Sequence, residues 1–403
     1  MNIGLFTDQY YPAISGVVTS ITMLYEGLEA LGHKCFIFTS YDEKSLTENE
    51  KEEIKKKSVI NIKGIPYPFK SIKQYHFSFF YGKAVKEVAK YNLDIIHVQT
   101  EYYLSKVAIK ASKKLNIPLV HTLHTSWKDY LKYVFPITDK YFHRPLLWLE
   151  RKMFLEPISK ASVIDIIPNK KVIQDLPLYG MDVNKIAIIP TGIELERFKK
   201  KYSPDDKIKE LREKLGINDD AFVFAYIGRA SDEKNIENLI EAFTYALNGK
   251  NAYLVVVGGG PSLEALKQNA EDYVVKDQVI FTGQIPWTDI PLYYHMSNIF
   301  LNASKSETQG LTYIEALSSG TPALVQKDEV IENVIIDAYN GYTFDGVDDL
   351  VEKMQYVYEN PNELKKLMKN AIESTKKYSK EVFTDTILKL YNESIEKYNN
   401  SRN

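Results

Sequence analysis

The chain has 403 residues, 44% hydrophobic and 26% charged, a make-up that excludes a disordered or fibrous protein and leaves room for two ordinary domains. Its net charge of −2 is unevenly spread: residues 1–190 carry 26 Lys and Arg against 19 Asp and Glu, residues 191–403 carry 25 against 34. The single cysteine, Cys35, excludes a disulfide within the chain, no apolar run is long enough to span a bilayer, and the first residues lack the regions of a secretory signal, so a cytoplasmic protein is expected.

Short β-rich runs alternate with longer helical ones, a pattern that predicts parallel α/β architecture. In the first half, strands are predicted at Ile3–Phe6, Lys34–Phe38, Val59–Ile62, Asp94–Val98, Leu119–Thr122, Val163–Ile167 and Ile186–Ile189. Helices are predicted near Thr19–Leu31, Phe79–Tyr91, Ser105–Leu115, Tyr141–Ile158 and Lys170–Leu176. After the first strand, Thr7–Val18 reads as a loop containing Pro12, Ser15 and Gly16. A glycine there either turns the chain or lets backbone approach a phosphate; the spacing is not G-x-G-x-x-G. Residues 41–58 are almost wholly polar and read as a surface excursion. Within residues 51–90, ten basic residues face three acidic ones, with Tyr67, Phe69, Tyr75, Phe77, Phe79, Phe80 and Tyr81 among them. That mixture suits an anionic membrane surface, or else a Lys-rich solvated face over an aromatic core; no motif for nucleic acid accompanies it. His124 falls just past a strand end, a cleft position in this architecture, and reads either as a ligand-facing group or as a hydrogen-bonded structural histidine; His121, inside the strand, fits the structural reading better.

A boundary is expected near Pro190-Thr191-Gly192-Ile193-Glu194, after which the alternation restarts. Strands are predicted at Phe222–Ile227, Tyr253–Val257, Val279–Thr282, Ile299–Asn302 and Ala323–Val325, with helices near Ile236–Leu247, Ser262–Glu271, Ile290–His295 and Leu311–Leu317. Two alternating units of similar size predict two Rossmann-like domains facing across a cleft, residues 1–190 and 191–375. Residues 376–403 hold a terminal helix, about Val382–Tyr398, with Phe383, Ile387, Leu390 and Tyr391 at helical spacing. It either packs on its own domain or crosses back to the first. Three segments of the second half carry chemistry. Gly228 to Asn235 follows an apolar strand and holds Arg229 and Lys234, a fork and a point charge that either reach one diphosphate or form surface salt bridges. Gly258-Gly259-Gly260 follows the next strand and suits close backbone approach or a plain turn. Ser304 to Leu317 places Glu307 and Glu315, separated by seven residues, around a glycine turn that opens an apolar helix, where backbone N–H groups can meet an anion and carboxylates can hold hydroxyls beside it.

Five elements occur in order: Ser15-Gly16-Val17, His124-Thr125-Ser126, Pro190-Thr191-Gly192-Ile193, Gly228-Arg229 with Glu233-Lys234, and Glu307 to Glu315 followed by Gly320-Thr321-Pro322. Together they resemble the retaining GT-B glycosyltransferases of family 4 over nearly the whole chain. The resemblance implies a GT-B fold and a role for each matching position. Arg229 and Lys234 would bind the donor diphosphate and stabilise it as it leaves. Glu315 would grip the ribose hydroxyls, and Glu307 would contact the transferred sugar. Backbone at Gln309, Gly310 and Leu311 would cradle phosphate, Gly16 would close onto it, and His124 would help position the sugar; Gly258, from its own place after a strand, either faces phosphate or turns the chain. Thr191 departs from the family's usual Asn.

The wording Ser306-Glu307-Thr308-Gln309-Gly310-Leu311-Thr312, with Ile3 to Asp8 and Glu26-Gly27-Leu28-Glu29, is most similar to the bacterial diacylglycerol 3-glucosyltransferases. That implies transfer of glucose from UDP-glucose to a lipid hydroxyl with retention, at the inner face of the cell membrane, the basic-aromatic segment 51–90 touching the lipid. Other acceptors, such as a soluble sugar or a polysaccharide, stay open, as do a UDP-sugar epimerase and a non-catalytic sugar-binding protein. No His/Asp cluster has metal spacing and no D-x-D lies at a strand end, so no cofactor and no essential metal are expected; Asp348-Asp349 reads as a helix cap.

Overall fold

The computed structural model describes residues 1–10, 15–66, 76–77, 81–124, 143–273, 275–305, 307 and 310–402. Contacts divide the chain into two units, Met1–Gly192 with Lys380–Asn403, and Ile193–Ser379.

The first unit is built on seven parallel strands: β1 (Asn2–Phe6), β2 (Lys34–Thr39), β3 (Val59–Asn61) and, after a short antiparallel pair of β4 (Ile65–Pro66) and β5 (His76–Phe77), β6 (Ile95–Val98), β7 (Leu119–Thr122), β8 (Ile164–Ile167) and β9 (Ile186–Ile188). Their order is β3-β2-β1-β6-β7-β8-β9, with Leu5 in register with Ile37 on one side and His97 on the other. The central strand is buried on both faces: Ile3 and Leu5 enter one apolar layer and Phe6 the other. The helix Lys380–Asn400 belongs to this unit. Its Phe383, Ile387, Leu390 and Tyr391 join the layer of Ile3, Leu5, Ile21 and Leu28, and the Tyr391 hydroxyl lies 2.7 Å from His97 Nδ1. Cys35 is buried, and burial pushes its thiol up to about 12, which makes it inert.

The second unit repeats the plan with six parallel strands: β10 (Phe222–Ile227), β11 (Ala252–Val257), β12 (Val279–Gly283), β13 (Ile299–Asn302), β14 (Ala323–Gln326) and β15 (Gly341–Phe344), ordered β12-β11-β10-β13-β14-β15. In β10 the period of two sorts side chains to opposite faces. Phe222, Phe224 and Tyr226 pack with Leu239, Ile240 and Phe243, while Val223, Ala225 and Ile227 pack with Phe300, Ile314 and Leu317. Each unit is thus Rossmann-like, with helices on both faces of a sheet whose strand order reverses next to its first strand.

The structure corrects several expectations. The helix expected from Thr19 begins at Gly16 and is capped by Ser15, whose hydroxyl accepts from Val18 N at 3.3 Å. The polar stretch after β2 holds a helix, Glu48–Lys56, closed by a capping box between Thr47 and Glu50. The segment expected as a helix at Lys170–Leu176 is a 3-10 turn, Lys170–Asp175, followed by the short helix Leu176–Tyr179. The strand β15 and the helices Asp205–Lys214 and Pro361–Thr375 were not expected, and Asp348-Asp349, read as a cap, fall in the first turn of the helix Val347–Glu359, whose cap position is Gly346. In the basic-aromatic segment, Tyr67, Phe69, Tyr75, Phe79 and Phe80 lie outside the described residues. Of its lysines, Lys51, Lys56, Lys57 and Lys90 pair with Glu48, Glu53, Glu26 and Glu87.

Candidate active site

In the second unit the strand order reverses between β10 and β13, and the loops that leave their C-terminal ends flank this switch point. Both loops carry the expected charges. The first runs through Gly228, the exposed Arg229 and the 3-10 turn Asp232–Lys234, and ends at Asn235, whose left-handed backbone (φ 49°) opens the helix Ile236–Leu247. Two bonds join the loops: Asn235 Nδ2 donates to the Ala303 carbonyl at 3.1 Å, and Lys234 Nζ donates to Glu307 Oε1 at 2.6 Å. The Lys234–Glu307 pair is largely but not fully buried, each side chain 19% exposed, so the ammonium is fixed and still within reach of a ligand. The loop is stiffened from below by the Tyr226 hydroxyl, which donates to the Arg229 carbonyl at 2.9 Å.

The second loop ends at Gly310, with φ 69° and ψ 58°, immediately before the helix Leu311–Ser318. A side chain at Gly310 would be strained by that backbone, and its Cβ would stand 2.0 Å from the Tyr313 ring. The turn therefore needs glycine, and it leaves Leu311 at the helix start, where N–H groups lack helical partners. Gln309 lies outside the described residues. About one turn along, Glu315 Oε2 accepts from the Tyr294 hydroxyl at 2.9 Å. Burial raises the Glu315 carboxyl to about 7, against the Tyr294 bond and the positive charge of Arg197, which favour ionisation. Gly258 also sits at this edge, with φ 138°, where a Cβ would meet the Gly228 carbonyl oxygen at 1.9 Å. Its lack of a side chain lets the loop after β11 press onto the loop after β10. The glycine is accounted for by that packing.

The first unit's switch edge lies between β1 and β6. Gly16 is exposed at the first position of its helix. His124 follows β7, and its Nε2 lies 2.7 Å from Gln99 Oε1; burial, and then the nearby charge of His121, lower it to about 3, so it is neutral at physiological pH. Thr125 and Ser126 lie outside the described residues. His121 is fully buried between Asp165 (3.1 Å) and Glu101 (3.3 Å). Burial opposes its charge, but the two carboxylates outweigh burial and raise it to about 9. Asp165 is held below its ordinary value by His121, Ser159 and Ser162 despite its own burial. Asp8, just past β1, accepts from Thr100 Oγ1 (2.8 Å) and Leu104 N (2.9 Å), and burial pushes it to about 6. Thr191, where the family usually has Asn, lies 3.3 Å from the Ser20 hydroxyl.

Sequence reasoning did not single out Asp8, Gln99, Glu101, Tyr294 or Arg197. The first three follow β1 and β6 directly, so strand-end position was an available signal; Tyr294 and Arg197 sit on a helix and a turn, and nothing local marks them. Among the described residues no group of three or more His, Cys, Asp or Glu side chains is placed to hold a metal, and no helix is long and apolar enough to cross a membrane.

Residues 14–197 match the family described as Glycosyltransferase Family 4, and residues 207–374 match the one described as Glycosyl transferases group 1. The chain is 36% identical to the alpha-monoglucosyldiacylglycerol synthase of Acholeplasma laidlawii over the full length of both proteins. It is 39% identical to the enzyme of that name from Streptococcus pneumoniae, over 87% of this chain and 76% of the relative. Among solved structures, Anabaena HepE in complex with UDP aligns with a TM-score of 0.77 at 18% identity, over 98% of this chain and all of the other. WaaG, a glycosyltransferase involved in lipopolysaccharide biosynthesis, aligns at 0.70 and 16%, over 96% and 99%. The likeness to these two is one of fold. Two Rossmann-like units, a cation–carboxylate pair at the switch point of the second, and full-length identity well above 30% agree: the chain belongs to glycosyltransferase family 4 and is a glycosyltransferase of the GT-B fold.

Proposed function

We propose that this enzyme transfers glucose from UDP-glucose to the 3-hydroxyl of 1,2-diacylglycerol, with retention, giving alpha-monoglucosyldiacylglycerol. The observation that carries the reading is the full-length identity of 36% to a synthase of that product. The geometry of the second unit fits a nucleotide sugar. Arg229 and Lys234 stand on the loop after β10, Glu307 touches Lys234, and Glu315 lies along the helix that Gly310 opens.

In this reading the diphosphate takes the Lys234 ammonium as partner and frees Glu307 for the sugar. The two cations offset charge on the leaving UDP, a service that a metal performs in other transferases, so no metal is essential. A donor phosphate oxygen takes the acceptor's proton in a front-face substitution, and the protein contributes orientation and preorganised charge. His124, neutral and hydrogen-bonded to Gln99, is suited to accept a hydrogen bond from a sugar hydroxyl. Gly16 offers backbone at a helix start.

The acceptor is a lipid, so the enzyme works as a peripheral protein at the cytoplasmic face of the membrane. Support comes from the exposed Lys83, Lys86 and Lys90 within segment 51–90, and from exposed Trp148, Leu149 and Met153 in the same unit, next to exposed Lys152. The test is transfer from UDP-glucose to diacylglycerol in anionic vesicles, with parallel soluble sugars and product identification by mass and anomeric configuration. An alpha-linked monoglucosyl lipid is expected; glucosylation of soluble sugars without any lipid product would overturn the acceptor assignment.

A further inference from the structure

The loop after β12 holds an indole that the donor site described above leaves unused. Trp287 is 53% exposed, four residues past the end of its strand. It is nevertheless held in place. The Arg197 guanidinium carbon sits 3.0 Å from the centre of its ring, and Arg197 Nη2 donates to the Trp287 carbonyl at 2.6 Å. A cation laid on one face of an indole and bonded to its own backbone fixes the ring while the remaining surface stays in water.

The pair is close to Glu315. Arg197 lies on the 3-10 turn Leu195–Phe198, which packs against the helix Leu311–Ser318, and its charge favours ionisation of the Glu315 carboxyl. The helix Ile290–Met296 follows Trp287 by three residues and supplies the Tyr294 hydroxyl that bonds Glu315. Arg197 thus joins an immobilised aromatic surface to the neighbourhood of the carboxylate assigned to ribose, at a loop on the C-terminal edge of the sheet.

We propose that Trp287 is the stacking surface for the donor's nucleobase, and that Arg197 is the positioning residue that orients it. This deepens, and rests on, the donor-site reading under Proposed function. Base–aromatic stacking accepts any base, so the pair supplies affinity for the nucleoside half of the donor, and base choice falls to neighbouring polar groups.

Calorimetric titration of UDP and inorganic pyrophosphate into wild type, Trp287→Ala, Trp287→Phe and Arg197→Lys tests the proposal. Trp287→Ala should weaken UDP about ten- to a hundredfold, a loss of the size that stacking supplies, and leave pyrophosphate unchanged. Trp287→Phe should restore most of the affinity, and Arg197→Lys should fall between. In the wild-type enzyme UDP should quench indole emission, pyrophosphate should not, and the quench should vanish in Trp287→Phe; this readout stands even where Trp287→Ala does not fold. Unchanged UDP affinity in Trp287→Ala, equal weakening of UDP and pyrophosphate, or a quench that persists in Trp287→Phe overturns the proposal. Failure of the donor reading itself looks different: UDP would then not bind the wild type, or would bind Arg229→Ala and Lys234→Ala as tightly as the wild type.

Discussion

The two units share a strand order around their first strand, yet they fill the same edge with opposite chemistry. In the second unit the loops after β10 and β13 present Arg229, Lys234 and Glu307 where a ligand can reach them. In the first unit the polar residues just past β1 and within β6 and β7 turn inward. Asp8 is held by Thr100 and Leu104, and His97 by Tyr391 and Thr122, while His121 within β7 lies between Asp165 and Glu101. The lesson is that a Rossmann-like sheet specifies where a site lies and leaves its use to side chains. One edge carries cations that a ligand can reach, the other is organised mostly for its own stability, with the half-buried His124 and the exposed helix start at Gly16 as its exceptions.

This contrast can be broken by experiment, and the largest effect is expected in the second unit. Arg229→Ala and Lys234→Ala should each lower turnover by about 10²–10³, the usual loss on removing one preorganised donor, with little change in melting temperature. Steady-state kinetics beside calorimetry reads both. A melting temperature that collapses with activity would place these cations among the structural charges and erase the contrast.

His121 makes the opposite prediction. His121→Gln leaves Asp165 buried without its cation, so it should cost on the order of 3–5 kcal/mol of stability while the folded fraction keeps its affinity for UDP. The pH dependence has a definite sign. His121 is held above its ordinary 6.5, at about 9, so its stabilisation is complete below pH 6.5 and is lost as pH rises through about 9. Urea unfolding of the wild type across that window should show the decline, and the variant should lack it.

A smaller effect concerns Glu315. Its carboxyl sits at about 7 in the free enzyme, and under the proposed donor reading ribose hydroxyls would donate to the ionised form. Affinity for UDP-glucose, whose phosphates do not titrate near neutrality, should therefore fall below pH 7 by up to about tenfold per unit, and Glu315→Gln should flatten the profile. A slope that survives the substitution would assign the titration to another group. The smallest effect belongs to the lipid-facing surface: Trp148→Ser with Met153→Ser should weaken binding to anionic vesicles several-fold, read by co-sedimentation, and leave turnover on a dispersed short-chain acceptor unchanged.

What could be read beforehand follows from how local each signal is. Twelve strands were foreseen because apolar runs such as Phe222–Ile227 are unmistakable, whereas β15, with only four residues, Gly341–Phe344, and a leading glycine, offers no such run. The helix Glu48–Lys56 buries Ile54 alone, so it lacks an apolar stripe; its signal was the Thr47–Glu50 box, which polar composition obscured. Asp205–Lys214 likewise buries only Ile208. At the site, Gly310, Glu307 and Lys234 were legible as motif residues, although their contact was not, since 73 residues separate Lys234 from Glu307. The bonds of His124 to Gln99 and of Arg197 to Trp287 span 25 and 90 positions and exist only because the fold brings those segments together. Gly258 was assigned to phosphate from its neighbourhood, and the contact with Gly228 supplies a packing reason for the same residue.

In the proposed reading the second unit's switch-point cations, Arg229 and Lys234, hold a nucleotide diphosphate. A crystal structure with UDP tests it most directly. The diphosphate should contact Arg229 and Lys234, with Lys234 drawn off Glu307 and the ribose on Glu315. A diphosphate bound away from both cations, with the Lys234–Glu307 pair intact, would contradict it.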